Sequence, residues 1–396
     1  MRSSLLLLFA LVGCSNEVVR LDDEPPVSPV DDEEPVAPAW TTLSDRGMIG
    51  PRDVILAEDG STAVFGLSLR EDVSACAVER FDRFGTPLTT SRYTTSGSGH
   101  ALTSAVAATK GPGGQIVLLC QAVLDGGATA SWVGWVDTHG ALVAEIEIPD
   151  VAGYDLLYAE DDDEVIVVGA DQRYPSIGVA AVYQQVSPSG PTAAPYVQGS
   201  SSPESSAAAL SVARHPDGWT AVVKVDSDPT GRVTEAKLAR LGVPLIVEWI
   251  DDPCAALVAV DLDGNIYTAG DAFDDSGPIV CKHTQSEDGV WSVEVLDVEL
   301  PEAEYVGISG IAIDKNGSLV VSGFSEPSDP LVEAEMFARS YAPNGEMLWR
   351  DDYRGEDGRF AFGMALGVAD GRVVHAGLVT GSTTYAYRMV VRSFSP

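Results

Sequence analysis

Positive charge is what this chain has least of. Against 59 Asp and Glu it carries 24 Lys and Arg, for a formal net charge of −35. Such a surface repels phosphate backbones and anionic headgroups, which excludes nucleic acid as a partner and otherwise implies a solvated acidic exterior. Histidine is scarce at five copies, and so is cysteine at five. Beyond the N-terminus no segment repeats apolar residues at helical spacing, so helical bundles are excluded. Glycine loops that open a helix around phosphate are missing, as are Gly-x-Ser-x-Gly elbows. With these absences go nucleotide-binding α/β folds and the elbow type of serine hydrolase. What the chain does have is 39 Gly and 24 Pro spread along its length, with 45% apolar residues. That mixture suits many short strands and tight turns.

The first residues, MRSSLLLLFALVGC, put one Arg ahead of the uncharged stretch Leu5–Gly13 and then Cys14. The layout is that of a secretory signal, too short to stay in a bilayer as a spanning helix. Leu11-Val12-Gly13-Cys14 resembles the bacterial lipobox, which implies cleavage after residue 13 and lipidation of Cys14. Acyl chains then anchor the protein by burying CH₂ groups at about 0.8 kcal/mol each. Ser15 at the next position fits sorting to the outer membrane or cell surface, and a periplasm-facing placement is compatible as well. Residues 14–38 hold eight acidic residues and five Pro. A segment of that composition cannot bury enough apolar surface to offset its chain entropy. It is expected to be a disordered tether, reaching roughly 70 Å at about 3 Å per residue.

From residue 39 one unit recurs seven times: an apolar run, a polar turn, a second apolar run and Gly. Taking the last turn residue as anchor gives Gly60, Gly114, Asp163, Gly218, Gly264, Gly317 and Gly371, spaced by 54, 49, 55, 46, 53 and 54 residues. Six residues after the anchors stand Gly66, Cys120, Gly169, Lys224, Gly270, Gly323 and Gly377. Each unit reads as a hairpin on an Asp-Gly-like turn. A second turn follows at Gly85, Gly140, Gly190, Gly242, Gly289 and Gly345. Two hairpins make four strands in about 50 residues, the signature of a propeller blade. The expected fold is therefore all-β: a seven-bladed β-propeller over 39–396. The seventh unit, taken to begin at Leu366, stops after its third strand (388–394), where a fourth falls due. Ala39–Leu43 has the register of an outermost strand. It is expected to complete the last blade and close the ring.

Chemistry is harder to find. No blade position carries His twice: His139 and His215 fall in turns, His100 in a link, His283 in a third strand and His375 in a second. A histidine metal ring is thus unsupported. Asp261-Leu262-Asp263-Gly264-Asn265 invites calcium but lacks a following bidentate Glu, and it coincides with a hairpin turn in every other blade. No catalytic, cofactor-binding or metal-binding residue stands out, and no cofactor is implied. The seven Trp share no repeat position; Trp249, Trp291 and Trp349 fall near fourth strands, as blade packing requires. The four cysteines after Cys14 are even in number in an exported chain, which suggests disulfides. The blade register places Cys76 near Cys120 and Cys254 near Cys281.

The segments Asp261–Gly270, Asp314–Gly323 and Arg339–Trp349 resemble bacterial surface-propeller repeats of the NHL and seven-bladed lipoprotein type. The resemblance covers about 350 residues and implies the fold rather than an activity. Blades three and four depart most from the pattern, with Asp163 and Lys224 where glycine is expected. The favoured expectation is a monomeric, lipid-anchored module that binds protein or glycan without catalysis. The alternative is a hydrolase or lyase acting on an extracellular polymer, with carboxylates at the channel mouth. Carboxylates clustered with a base in the channel point to the enzyme; an exposed aromatic face points to binding.

Overall fold

The computed structural model describes residues 37–395 except for 45, 71–72, 95–101, 124–128, 161–162, 173–179, 194, 199–205, 229–232, 242–247, 252–253, 255, 272–276, 287, 297, 302, 304, 328–333, 356–359 and 381–386. Cys14, the signal segment and most of the tether, together with His100 and Gly242, lie outside the described residues. Seven antiparallel sheets of four strands or more follow one another along the chain. Their first strands are Met48–Leu56, Leu102–Lys110, Val151–Ala159, Ser206–Arg214, Leu257–Val260, Tyr305–Ile313 and Ala361–Ala369. Each first strand touches those of the blades before and after it, and the seventh touches the first, so these strands line the axis of a closed ring. The fold is a seven-bladed β-propeller.

All seven anchors of the repeat have positive φ, Asp163 included at 53°. Glycine and, less readily, Asp tolerate that region, which explains both the rule and its exception. The glycines six residues later have a different cause. In six blades the first strand carries a bulge, one residue being skipped between Pro51 and Asp53, Ala105 and Ala107, Gly153 and Asp155, Ala209 and Ser211, Ile308 and Gly310, and Gly363 and Ala365. Beside the bulge a first-strand carbonyl comes so close that a Cβ on Gly66, Gly169, Gly323 or Gly377 would lie within 2.4 Å of it. Gly323→Ala, whose Cβ would sit 1.9 Å from the Gly307 carbonyl oxygen, is expected to lose about 2–3 kcal/mol in urea unfolding through forced backbone displacement. Gly50→Ala, with open space at the Cβ position, is expected to lose much less.

The core is distributed between blades, and each of the seven interfaces holds its own apolar cluster. Phe65, Val78, Leu118 and Trp132 fill the first; Val64, Phe81, Val374 and Val391 fill the one that joins blade seven to blade one. Closure is carried by Trp40–Ser44, which pairs antiparallel with Tyr387–Phe394 in the register Trp40 with Ser393 through Ser44 with Met389. The same strand grips blade one. Trp40 stacks near Phe81, the Thr42 hydroxyl donates to the Gly85 carbonyl at 2.6 Å, and the Ser44 hydroxyl donates to Glu79 at 2.6 Å. The expected closure is observed.

Several boundaries differ from the expected ones. Blade seven begins at Ala361 rather than Leu366, because its first strand continues through the bulge. In blade three the fourth strand is split into Gly190–Pro191 and Tyr196–Gln198. Pro191 and Pro195 have no N–H to give a ladder, and the Gln184 side-chain amide compensates by donating to the Ala193 carbonyl. The disulfides are Cys76–Cys120, joining blades one and two, and Cys254–Cys281, within blade five, with Cα atoms 6.6 and 5.9 Å apart. Cys76, Cys120 and Cys281 lie inside their strands rather than at the ends.

Candidate functional site at the channel mouth

A propeller has two unlike faces. Hairpin turns open on one of them; the links between blades, and between second and third strands, run across the other. The turn face is held together by its own side chains. Asp82, Asp137, Asp261 and Asp314 each accept the backbone N–H groups two and four residues on, at 2.8–2.9 Å. Asp261 also accepts from the Asn265 amide at 2.7 Å. These oxygens build turns, as the sequence suggested for Asp261. His215 has a structural post too: its ring stacks on Trp219 and its Nε2 lies 3.0 Å from the Gly264 carbonyl oxygen. His283 and His375 are buried.

Bulges repeat at one register, so they put one extra residue per blade at one level around the axis: Arg52, Val106, Tyr154, Leu210, Ser309 and Met364. The sheet faces of a first strand are covered by the neighbouring blades, so a side chain there that reaches solvent does so in the channel. Two polar ones do, Arg52 and the 40% exposed Tyr154. Desolvation lowers the Arg52 guanidinium below its ordinary value and raises the Tyr154 phenol. Arg52 has no hydrogen-bond or ion-pair partner among the described residues.

Just below this level the bulges aim two carboxyls at the next blade. Asp53 accepts the Ala108 N–H at 3.0 Å and the Val54 N–H at 2.8 Å. Asp155 accepts the Val212 and Leu156 N–H groups and the Ser211 hydroxyl at 2.8–3.0 Å. Burial raises Asp53 to about 7 and Asp155 to about 6, against the pull of those donors. Folding lifts both above the ordinary carboxylate value, so the protonated forms favour the folded state. Their contribution is complete near pH 4 and below, and it is lost as pH climbs through about 6 and about 7. His375 acts oppositely. Burial first, and Arg392 next, hold its ring neutral down to about 3, so its contribution is full above 6.5 and is lost as pH falls. Asp53→Asn, with no proton to release, is expected to flatten the decline of stability between about pH 5 and pH 7.5 in urea titrations, while the acid-side loss due to His375 persists.

Above the bulge level, on the link face, four aromatic rings form a ladder across blades six and seven. Tyr305 opens the first strand of blade six, and Phe324 is close to the end of its second strand, Leu319–Glu326. Phe360 directly precedes the first strand of blade seven, and Phe362 is its second residue. Ring centres are 5.8 Å apart from Tyr305 to Phe324, 5.2 Å from Phe324 to Phe362 and 6.0 Å from Phe362 to Phe360. The inner pair is half-buried, while Tyr305 is 48% and Phe360 42% exposed. Gly307 makes room, since a Cβ there would meet the Phe324 ring at 2.7 Å. Among the described residues, no three His, Cys, Asp or Glu side chains converge closely enough to hold a metal ion.

The sequence reading missed both features. The ladder draws on positions that no two blades share, so a repeat alignment dilutes it. Arg52 and Tyr154 are visible in such an alignment only as polar outliers eight or nine residues before their anchors, and their meaning depends on a bulge that the repeat does not announce.

No protein-family profile matches this chain, and no curated protein does. Solved structures do. The β-propeller domain of the Trilobed protease from Pyrococcus furiosus, whose title gives it an open velcro topology, superposes with a TM-score of 0.53 at 13% identity, covering 89% of this chain and 94% of that one. The polysaccharide lyase Uly1 gives 0.52 at 9% identity over 93% and 94%. A prolyl endopeptidase gives 0.51 at 11% identity, over 89% of this chain and 51% of that one. At these identities the likeness is one of fold. The seam distinguishes this chain from the first of them, because Trp40–Ser44 closes it.

Proposed function

We propose that this protein is a lipid-anchored envelope module, held by Cys14 on the outer membrane or cell surface, whose propeller binds a glycan through the link face. One observation carries the reading, the aromatic ladder of Tyr305, Phe324, Phe362 and Phe360 at the channel mouth. Exposed rings in a row bury the flat C–H faces of sugars while leaving their hydroxyls to water. The stalk-like composition of 14–38 fits a domain that presents its face away from its anchor. In a glycan-array screen followed by calorimetry, Tyr305→Ala and Phe360→Ala are each expected to weaken binding about tenfold, the worth of one lost ring stack at about 1–1.5 kcal/mol. Both should leave the unfolding midpoint unchanged. Full binding by both variants, or no glycan bound by the wild type, defeats the reading.

A second reading, a hydrolase or lyase of extracellular polymers, has one observation in its favour. Asp53 and Asp155 hold protons close to neutral pH beside the channel, as a general acid must. Against it, both oxygens of each carboxyl are engaged on first-strand N–H groups, which is the work of a structural clamp. Polymer cleavage abolished by Asp53→Asn in a folded variant would favour this second reading.

A further inference from the structure

We infer that the seam between blades six and seven opens in acid: a proton taken up by the buried His375 ring parts the two blades and breaks the aromatic ladder that spans them. The opening stands on its own observations; that it releases a ligand rests on the glycan reading. Among the described residues, this is the one seam whose apolar core is split in two. Val320, Trp349, Val373 and Phe394 fill its turn side, and Met336, Ala361, Val379 and Val390 its link side. The layer between them is polar. Ser322 and Asp351 stand in one row of blade six, with Ala338 between them, and His375 is paired in register with Arg392 on blade seven. The imidazole and the Ser322 hydroxyl are fully buried, and neither that hydroxyl nor either ring nitrogen has a hydrogen-bond partner. Polar groups held dry and unbonded weaken a closed interface, and water entering an open one satisfies them.

A charge on the ring has no counter-ion waiting. The charged and titratable groups on the same side are Arg392 and, toward the link end, Arg388 on the paired strand, with Asp351 and Tyr353 on the outermost strand of blade six. Both Asp351 oxygens are already taken by Arg392, at 2.7 and 2.9 Å. Glu335, Arg339 and Asp352 alternate onto the blade-five side, where Arg339 donates to the Glu299 carbonyl. The other strands packed on the ring offer only Tyr305 and Glu326, at their exposed link ends. Burial first, and Arg392 next, hold the ring neutral down to about 3 while the seam is shut, whereas a hydrated imidazole titrates near 6.5. The ratio of shut to open seam therefore falls about tenfold per pH unit below 6.5. Protonation of Asp53 and Asp155 works the other way on the seams they clamp, so acid loosens this one selectively. The ring also lies directly beneath the ladder. A Cβ on Gly363 would sit 2.2 Å from the Gly323 carbonyl oxygen of blade six and 2.3 Å from His375 Nε2. Gly323 is followed by Phe324 and Gly363 is preceded by Phe362, the two rings that carry the ladder across the seam at 5.2 Å. Water drawn to an imidazolium at that point separates Gly323 from Gly363, and with them the two rings.

The test is backbone hydrogen exchange read by mass spectrometry across the range from neutral pH to below the ordinary His value, corrected for the intrinsic pH dependence of amide exchange. In the wild type, the second strands Leu319–Glu326 and Arg372–Thr380 are expected to lose protection about tenfold per pH unit below 6.5, while Ile116–Val123 and Thr129–Val136 of blade two keep theirs. His375→Gln and His375→Phe, one polar and one apolar, should each hold the seam shut through the same range, so that a misfolded member of the pair does not void the test. Protection that the wild type retains in acid, an equal loss in both folded variants, or a loss shared by all seven blades overturns the inference. Calorimetry with the neutral probes cellohexaose and chitohexaose then separates it from the glycan reading. Binding at neutral pH that weakens in step with the loss of protection supports both, and binding that persists undiminished with the seam open overturns the link to the ladder. If neither probe nor any other glycan binds at neutral pH, the glycan reading falls, and the exchange result alone decides whether the seam opens.

Discussion

A chain shortened to begin at Arg46 is expected to lose roughly 5 kcal/mol or more of folding stability and to associate through the edge it bares. Five residue pairs join Trp40–Ser44 to the last blade. Net backbone bonds of about 1 kcal/mol each, plus the partial burial of Trp40 and Leu43, reach that figure. It is a large share of the 5–15 kcal/mol that typically separates folded from unfolded chains. What the truncation bares is an apolar edge, Met389-Val390-Val391, whose free N–H and C=O groups would pair with another copy. Urea unfolding should show an earlier midpoint, and size-exclusion chromatography should show dimers or larger species. An unchanged midpoint in a monomeric truncation would mean that the seven interfaces hold the ring without its latch.

The second large effect is expected at the neighbouring interface. Arg392 of blade seven and Asp351 of blade six form a two-point ion pair, with side chains 9% and 5% exposed, and the Tyr353 ring lies 4.2 Å from the guanidinium. Burial raises the Asp351 carboxyl, and Arg392 pulls it back. Asp351→Ala leaves a buried cation uncompensated, which typically costs 3–5 kcal/mol. His375, paired in register with Arg392 and with neither ring nitrogen hydrogen-bonded, offers the stranded cation no help. Removing both charges, with Asp351→Leu and Arg392→Met, is expected to regain most of that loss, because an apolar replacement of similar volume avoids the desolvation penalty. The two variants, compared in one denaturant series, separate the penalty of a lone charge from the net worth of the pair. If Asp351→Ala loses less than about 1 kcal/mol, water reaches this site and the pair behaves like a surface one.

What was legible in the sequence follows the repeat. Gly60 and its six counterparts announced the inner hairpins because positive φ has few tenants, and the abrupt end after the seventh third strand pointed to Ala39–Leu43 as the missing member. Cysteine pairing followed once strands were in register. The glycines at 66, 169, 323 and 377 were visible without their cause, since the carbonyl that excludes a Cβ belongs to a bulge elsewhere in the chain. Asp53 and Asp155 were invisible among 59 acidic residues; only the direction imposed by the bulge turns them toward the next blade. Blade three lost its regular fourth strand around Pro191 and Pro195, which have no N–H to give a ladder. The ladder is a tertiary coincidence of two blades, so no local pattern encodes it.

The order of elements also decides where a mechanical load is felt. The strand that locks the ring is the first described element of the chain, and everything N-terminal to it hangs from Trp40. A pull transmitted along that segment arrives at the latch before it reaches any blade, and the bridge between Cys76 and Cys120 lies on the far side of that load path. Sustained tension would therefore peel Trp40–Ser44 away first, laying open the flank of blade seven while the other six sheets stay folded. Under a load applied N-terminal to Trp40, that joint is the fuse of this molecule.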